Sequence, residues 1–584
     1  MNPYLPKGPD AEPKIRAWPA PLIAAAMVGL FTIPGIVAPR TSLHFMGFGF
    51  GPAFGFLAAL AWWIGFSRAG SPHRGLVPLI WLVPMIGLSL PTILAGSPPM
   101  DVLIYGWPAM FTVLSVAILA ASLLGRSTQL AVAYLVPLLV WGAFATVRID
   151  GTDAELMPEF TWRWSKKPEQ IAEEVLGKRQ LKSSTEAVPN DVAATDWAEF
   201  RGSKRDGILR GVAFDFAAEP KLVWKQKIGP GWGTFSAVGK RLFTQEQRGE
   251  REATVSYDAE TGEELWRHFE EAKFTEQIAG AGPRATPTYH AGKLYVQGAT
   301  GFLNCLDAIT GESYWRVGLI ADAEAIVPQW GMAASPLIVG DLVLTYTGNG
   351  LAEKALSAFH IADGKLVWQA GNGTHGYSSP HLATIAGVPQ VLLLSNLGIE
   401  SFDPTTGKKL WEHVHLLPSG NRATQPVILD DGDILVGTGV GTELGTRRLK
   451  VTKTREVWFV SEVWFTRKLK PYFNDGVVHG GHYYGFDDKS FVCIDLADGK
   501  SKWNAGTKYG HGQVLLVQDS AMLIVQGVDG KVAFVKADPG EYSEEKSFAA
   551  IEKKTWNHPI VANGKLYVRN GTEAACYELT SQKK

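Results

Sequence analysis

The chain changes its hydrophobic period once. Up to about residue 148 apolar residues come in unbroken runs, and beyond it they alternate with polar ones. Five runs, near 18–38, 45–66, 75–95, 102–124 and 129–147, are long enough to cross a bilayer core as helices. Between Trp18 and Val147 the formal charges are Arg40, Arg68, Arg74, Asp101 and Arg126, all in the gaps between runs. This pattern predicts a five-helix membrane domain over 1–148. Residues 149–196 read as a linker with one short helix from Pro168, acidic early and basic late, with Ile171, Val175 and Leu176 as its apolar face. Residues 197–584 read as strands.

Among these strands a single phrase recurs. It runs from Leu306-Asp307 through Thr310-Gly311 to Trp315, and returns as Tyr257 to Trp266, Ile361 to Trp368, Phe402 to Trp411 and Ile494 to Trp503. Each copy is a strand, a tight turn and a second strand ending in Trp; Gly supplies positive φ in the turn and Asp bonds the local backbone. Upstream lies a second phrase, Thr286-Pro287 to Val296, with counterparts at Ser335-Pro336 and His558-Pro559. Together they make units of four antiparallel strands, spaced as propeller blades are. The closing aromatics count as Trp266, Trp315, Trp368, Trp411, Trp464, Trp503 and Trp556. The last three strands, about 558–580, are completed by Pro220–Trp224 from the other end, which closes the ring and removes an open edge. The count is eight blades. Seven stays open, because the stretches near 424–464 and 512–556 match the repeat poorly.

Orientation follows from the basic residues. Lys7, Lys14, Arg16, Arg68, Arg74 and Arg126 fall on one side, Arg40 and Arg148 on the other, so the N-terminus is expected in the cytoplasm. Five spans then put the propeller on the far side of a bacterial inner membrane, in the periplasm. No ionisable residue stands at mid-depth in a span, so the spans read as an anchor rather than a transport path. Phe160, Trp162 and Trp164 read as an interfacial belt or a cap.

Whole-chain composition conceals this division: 56 Lys and Arg against 57 Asp and Glu give a formal net charge of −1, and nucleic acid is not an expected partner. The three cysteines, Cys305, Cys493 and Cys576, fall on third strands of non-adjacent blades, too far apart for disulfides. The spacing Cys-x-x-Cys-His of covalent haem is absent. His375, His381, His413, His415, His479 and His482 match no tetrahedral metal spacing, and no metal site is assigned.

The phrase Ala-x-Asp-x-x-Thr-Gly-x-x-x-Trp is similar to the repeat of quinoprotein, or PQQ-type, propellers, from about Trp197 to the C-terminus. That resemblance implies that each Trp lies flat on the neighbouring blade, and that Trp197–Gly202 with Asp206-Gly207 crosses the base of the ring. It also implies two functions. One is a non-catalytic binding or scaffold module, similar to the propeller of the outer-membrane-protein assembly lipoproteins, taking a protein or peptide through its funnel loops or a strand edge. The other is a membrane-bound dehydrogenase of alcohols or sugars using PQQ with calcium, passing electrons to membrane quinone. The dehydrogenases' adjacent cysteine pair is missing here. Tyr346-Thr347-Gly348-Asn349 resembles their calcium-binding Gly-Asn turn, but Gly350 stands where that pattern has Pro. No cofactor is assured. The loops feeding the innermost strands carry the candidate ligand-binding residues Trp232, Arg284, Trp330, Tyr377, Arg422, His511 and Trp556, a set suited to a planar anion or a peptide. Thr244–Arg248 is an oddly polar strand, which must find partners if buried.

Overall fold

The computed structural model describes residues 13–39, 41–94, 99, 101–153, 157–182, 187–374, 376–417, 422–441 and 443–581. Lys7, Arg40 and His375 lie outside the described residues. Two units emerge, one reaching Thr152 and including Met157–Ser165, the other running from Lys166 onward.

In the first unit each apolar run becomes a helix long and apolar enough to cross a membrane. These are α1 (Pro19–Val37), α2 (Ser42–Ala61), α3 (His73–Leu94), α4 (Trp107–Ala121) and α5 (Arg126–Thr146), with wider π turns at Trp62–Phe66 and Asp101–Gly106. Helices α1 and α2 approach closely along Gly47, Gly51 and Gly55, where a Cβ on Gly47 would lie 2.6 Å from the Leu30 carbonyl oxygen. In an apolar medium such small-residue stripes let backbones touch. Trp63, Trp81, Trp107 and Trp141 fill the core. A hairpin of Val147–Thr152 and Pro158–Trp162 follows α5; Phe160, Trp162 and Trp164 are exposed, and the last two stack at 5.1 Å.

The second unit starts with α6 (Pro168–Leu176). Its buried residues are Glu169, Ala172 and Leu176, whereas Ile171 and Val175 are about half exposed. Of the expected apolar face, Leu176 is buried, whereas Ile171 and Val175 are turned outward and Glu169 and Ala172 take their place. The roll is set by polar contacts: Gly249 N–H donates to the Glu169 carbonyl (2.9 Å), Arg251 pairs with Glu173 (3.1 Å), and Arg267 donates to the Leu176 carbonyl (3.1 Å).

Eight four-stranded antiparallel sheets form the propeller: 236–270, 288–318, 337–370, 381–414, 427–466, 477–504, 513–549, and 560–578 completed by Lys221–Lys227. The count of eight holds and the ring closes as the sequence implies, with Trp224 opposite Cys576. Blade seven gains a short parallel strand, Ile208–Leu209.

In every blade the pairing of the two outer strands slips by one residue at the same place. The residue just outside this bulge is Trp266, Trp315, Trp368, Trp411, Trp464, Trp503 and Trp224 in seven blades, and Lys546 in blade seven. Trp556 is thus not a closing residue; it precedes the first strand of blade eight. The exception has a physical cause. Trp224, Trp266, Trp315, Trp368 and Trp464 lie against the turn glycine of the next blade, and a Cβ on Gly311 (φ +76°) would sit 2.4 Å from the Trp266 ring. Most of these indoles also donate to that blade, as Trp266 does to the Ala308 carbonyl (3.1 Å). In blade eight the third and fourth strands come from separate segments, Glu573–Glu578 and Lys221–Lys227, with no hairpin turn between them, so no turn glycine faces blade seven there. Lys546 instead donates to the Ala217 carbonyl (2.8 Å) and pairs with Glu219.

Cys305, Cys493 and Cys576 are free, buried and on third strands. The polar strand of blade one is buried throughout. Arg248 is held by Glu246 and Glu264 (3.1 and 3.0 Å), and Tyr257 donates to Glu246 (2.5 Å). From blade eight, Arg569 reaches Thr244 and the Gln245, Gly229 and Gly231 carbonyls, tying the last blade to the first.

Candidate functional site

One residue in front of each blade builds the throat of the channel. Thr234 N–H donates to the Thr286 hydroxyl (3.0 Å), Thr286 N–H to Ser335 (3.0 Å), and Ser335 N–H to Ser379 (2.9 Å). Ser379 N–H continues to the Gln425 side chain (3.1 Å), Gln425 N–H to Asp475 (2.7 Å), and Asp475 N–H to Gln513 (3.4 Å). The Gln513 amide reaches the Trp556 carbonyl (3.1 Å), and the Thr234 hydroxyl donates to the His558 carbonyl (2.6 Å). This girdle runs from blade to blade around the axis. Thr234, Thr286, Ser335, Ser379, Gln425 and Asp475 stand before their first strands, and a side-chain oxygen from the next blade satisfies the backbone N–H of each. A signal was present: Thr286, Ser335, Ser379, Gln425 and His558 each stand directly before the Pro that opens a blade.

Below the girdle the segment after Trp197 crosses the ring. Trp197 pairs with Ala237, Arg201 donates to the Gly476 carbonyl (2.7 Å), and Arg205 donates to the Ser335 (3.2 Å), Pro336 and Pro380 (3.0 Å) carbonyls. These arginines are buried structural ties, and beside Arg205 the imidazole of His381 is held by burial at a pKa of about 3. Phe200 forms the cavity floor, edge-on to His558 at 5.3 Å.

Above lies a cavity of about 210 Å³, lined by the lead-in loops of seven blades and by Gln513 at the start of blade seven. Its walls are aromatic. Trp330 stacks on Tyr377 at 5.2 Å; across the funnel Trp232 meets Trp556 at 5.2 Å and Trp556 meets Phe473 at 5.2 Å. Lys554 lies 5.0 Å from the Trp556 ring centre. Arg284 lines the cavity already paired with Glu276 (2.9 Å), and burial lowers its pKa. Burial pushes the Tyr377 hydroxyl up to about 12, so it stays protonated, accepting the Trp330 N–H (3.2 Å).

The structure brings Trp232, Arg284, Trp330, Tyr377 and Trp556 to one cavity. Arg422 and His511 stand behind its wall. Arg422 is buried, donates to the Ser395 and His415 carbonyls, and accepts the Tyr377 N–H on its own carbonyl (2.8 Å). Burial, reinforced by Arg447, lowers its pKa to about 9, and burial beside Arg422 takes His415 to about 4. His511 backs Phe473 at 5.7 Å. Asn349 lies outside the cavity lining; its amide donates to the Glu324 carbonyl (2.9 Å), which occupies the Gly-Asn turn locally. Among the lining residues that sequence reasoning missed are Phe200, Glu276, Tyr472, Phe473 and Asp475.

A calcium–quinone pair needs several oxygen donors converging on one cation. The cavity carboxylates are Glu276 and Asp475, from opposite sides of the ring. Glu276 is committed to Arg284 and to the Ile278 and Ala279 N–H groups (2.6 and 2.7 Å), Asp475 to Arg201 (3.7 Å) and the Gln425 N–H. This donor set does not fit the pair. Among the described residues no group of three or more His, Cys, Asp or Glu could hold a metal ion.

Behind Arg284 stands Glu252, 4 % exposed, accepting the Ala299 N–H. Burial raises its pKa to about 7. A carboxyl whose folded pKa exceeds its unfolded value stabilises the fold in its neutral form, so the contribution is full below about 4.5 and is lost as pH rises through about 7. Glu252→Gln is expected to flatten this slope and to stabilise the propeller at pH 8 by on the order of 3 kcal/mol. Urea midpoints of both proteins at pH 5 and pH 8 check it; parallel pH profiles would sink it.

Fold and funnel together define an eight-bladed propeller with an aromatic mouth. The family model described as "Outer membrane protein assembly factor BamB" matches residues 251–505. A BamB of Shewanella oneidensis is 24% identical over 384 residues, covering 60% of this chain and 86% of that protein. A polyvinylalcohol dehydrogenase of Sphingopyxis sp. is 30% identical over 201 residues, covering 32% of this chain and 30% of that protein, so the chain spans under a third of it. The crystal structure of BamB from Moraxella catarrhalis covers 63% of this chain and 100% of its own, with 17% identity and a TM-score of 0.45.

Proposed function

We propose that this chain is a membrane-anchored binding or scaffold module, whose propeller stands on the periplasmic side of a bacterial inner membrane with the N-terminus in the cytoplasm. Its funnel takes a protein or peptide segment. The observation that carries the reading is the cavity wall: aromatic faces from many blades, with both carboxylates already paired. Aromatic anchors in a desolvated pocket are what binding hot spots use. The BamB relatives, named as assembly factors, support a protein partner. The dehydrogenase relative favours the second reading, oxidation of an alcohol or sugar with PQQ and calcium, which the donor set argues against.

The full chain in nanodiscs separates the two. PQQ with calcium is expected to show no stoichiometric absorbance change at micromolar cofactor, and no dye reduction with alcohols or aldoses. Peptides selected on the chain from a random library are expected to carry aromatic residues, and Trp330→Ala is expected to weaken them by about 2 kcal/mol or more. Tight PQQ binding with turnover would replace this reading by the enzyme.

A further inference from the structure

Blade five departs from the other seven. Its outer strands, Gly445–Thr454 and Val457–Thr466, are ten residues each, whereas outer strands elsewhere have four to eight. The Asp-Thr-Gly turn is replaced by Arg455-Glu456, with Arg455 in the left-handed region (φ 58°). One face of this long hairpin is accounted for: Trp458 and Val460 pack with Trp411 and Leu410 of blade four. The other is not. Val457, Phe459 and Val463 are 56%, 55% and 48% exposed, in a strand that is the free edge of its sheet.

The charge on that hairpin is one-sided. Residues 445–468 hold seven Lys or Arg and two Glu. Glu456 pairs with Lys453 (3.2 Å) and Glu462 with Arg447 (3.0 Å). Lys450, Arg455, Arg467 and Lys468 are left as exposed cations, with Lys450 directly across from Ser461 beside Phe459. Exposed aromatic and branched apolar side chains flanked by cations suit a bilayer interface bearing anionic headgroups.

We propose that this hairpin is a second membrane contact, laying Val457, Phe459 and Val463 into the headgroup region of an anionic bilayer while the cations meet lipid phosphates. The occupant follows from charge complementarity and from the tether. Only residues 147–165 separate the last apolar helix from the propeller unit, so, with the helices read as spans, a bilayer is present at high effective concentration. A protein strand added to the free edge would use the backbone and would not call for the excess of cations.

The test uses the full chain with Phe459→Cys carrying an environment-sensitive NBD label; the three native cysteines are buried and leave the label specific. The chain is reconstituted into phosphatidylcholine vesicles with or without phosphatidylglycerol. In anionic vesicles the emission is expected to shift to the blue, to return at about 1 M salt, where the screening length is about 3 Å, and to stay red in a Lys450→Glu, Arg455→Glu background. Equal emission in both lipids overturns the proposal. So does a shift that follows protein density rather than lipid charge, which would mean edge pairing between copies. Flotation with neutral vesicles reports the helices alone, so a missing shift with retained flotation overturns the hairpin contact and leaves the anchor standing.

Discussion

Arg248→Ala is expected to cost the propeller about 3–5 kcal/mol, the range for removing one partner of a buried ion network. Arg248 is fully buried, and its guanidinium is the cation between Glu246 and Glu264, both also fully buried. Truncation leaves Glu246 without its counter-ion and Glu264 with Arg267 alone (3.1 Å), together with the Tyr257 hydroxyl bonded to Glu246. Much of that cost is uncompensated charge rather than the worth of the pairing. The combined change Arg248→Met, Glu246→Gln, Glu264→Gln, which removes charge from both sides, should therefore recover most of it. Urea unfolding of the full chain in detergent, followed through the propeller transition, gives both values. A single variant within about 1 kcal/mol of the parent would show that water or a rearranged neighbour reaches the site.

Trp266→Ala should be nearly as damaging, about 3–5 kcal/mol for a large buried aromatic. Trp266 is 5% exposed, packs near Phe243 at 6.0 Å and lies on Gly311 of the next blade. The loss opens a gap between blades one and two and removes the hydrogen bond to the Ala308 carbonyl. Its partner supplies the control. Gly311→Ala is strained by its positive φ in any background, but the clash with the indole disappears once Trp266 is gone. A double-mutant cycle should therefore show coupling of about 0.5–3 kcal/mol. Additive losses would mean that the ring does not rest on the glycine. Lys546→Trp, by contrast, should stabilise nothing, because the neighbouring blade presents no turn there.

That contrast marks how far the repeat could be read. Asp, Gly and Trp at fixed offsets encode a local hairpin and its bulge, so Trp315, Trp368 and Trp503 declared their blades directly. Blade seven was countable only by its place in the series. Its closing residue was misassigned to Trp556 because a Trp at the expected spacing stands there for another reason, in the funnel wall. For α6, apolarity pointed to Ile171, Val175 and Leu176, yet three polar contacts chose a roll that buries only Leu176 of these, and their partners lie roughly 75–90 residues away in sequence. Funnel candidates chosen by equivalent position met for Arg284, Trp330 and Tyr377. Arg422 and His511 turned away from the cavity, since strand alternation does not decide the direction of a loop side chain.

By itself the sequence determined what local physics controls: five apolar runs that must form helices, a two-residue period that must form strands, turns that need Gly, and an N-terminal strand left over to close the ring. Only the tertiary structure decided what depends on neighbours far along the chain. The girdle at the throat, the Arg201 and Arg205 ties beneath it and the Arg569 tie between the last blade and the first each join residues from distant segments. Such groups are buried only once the ring has closed, and burial is what obliges each donor and charge to find its partner.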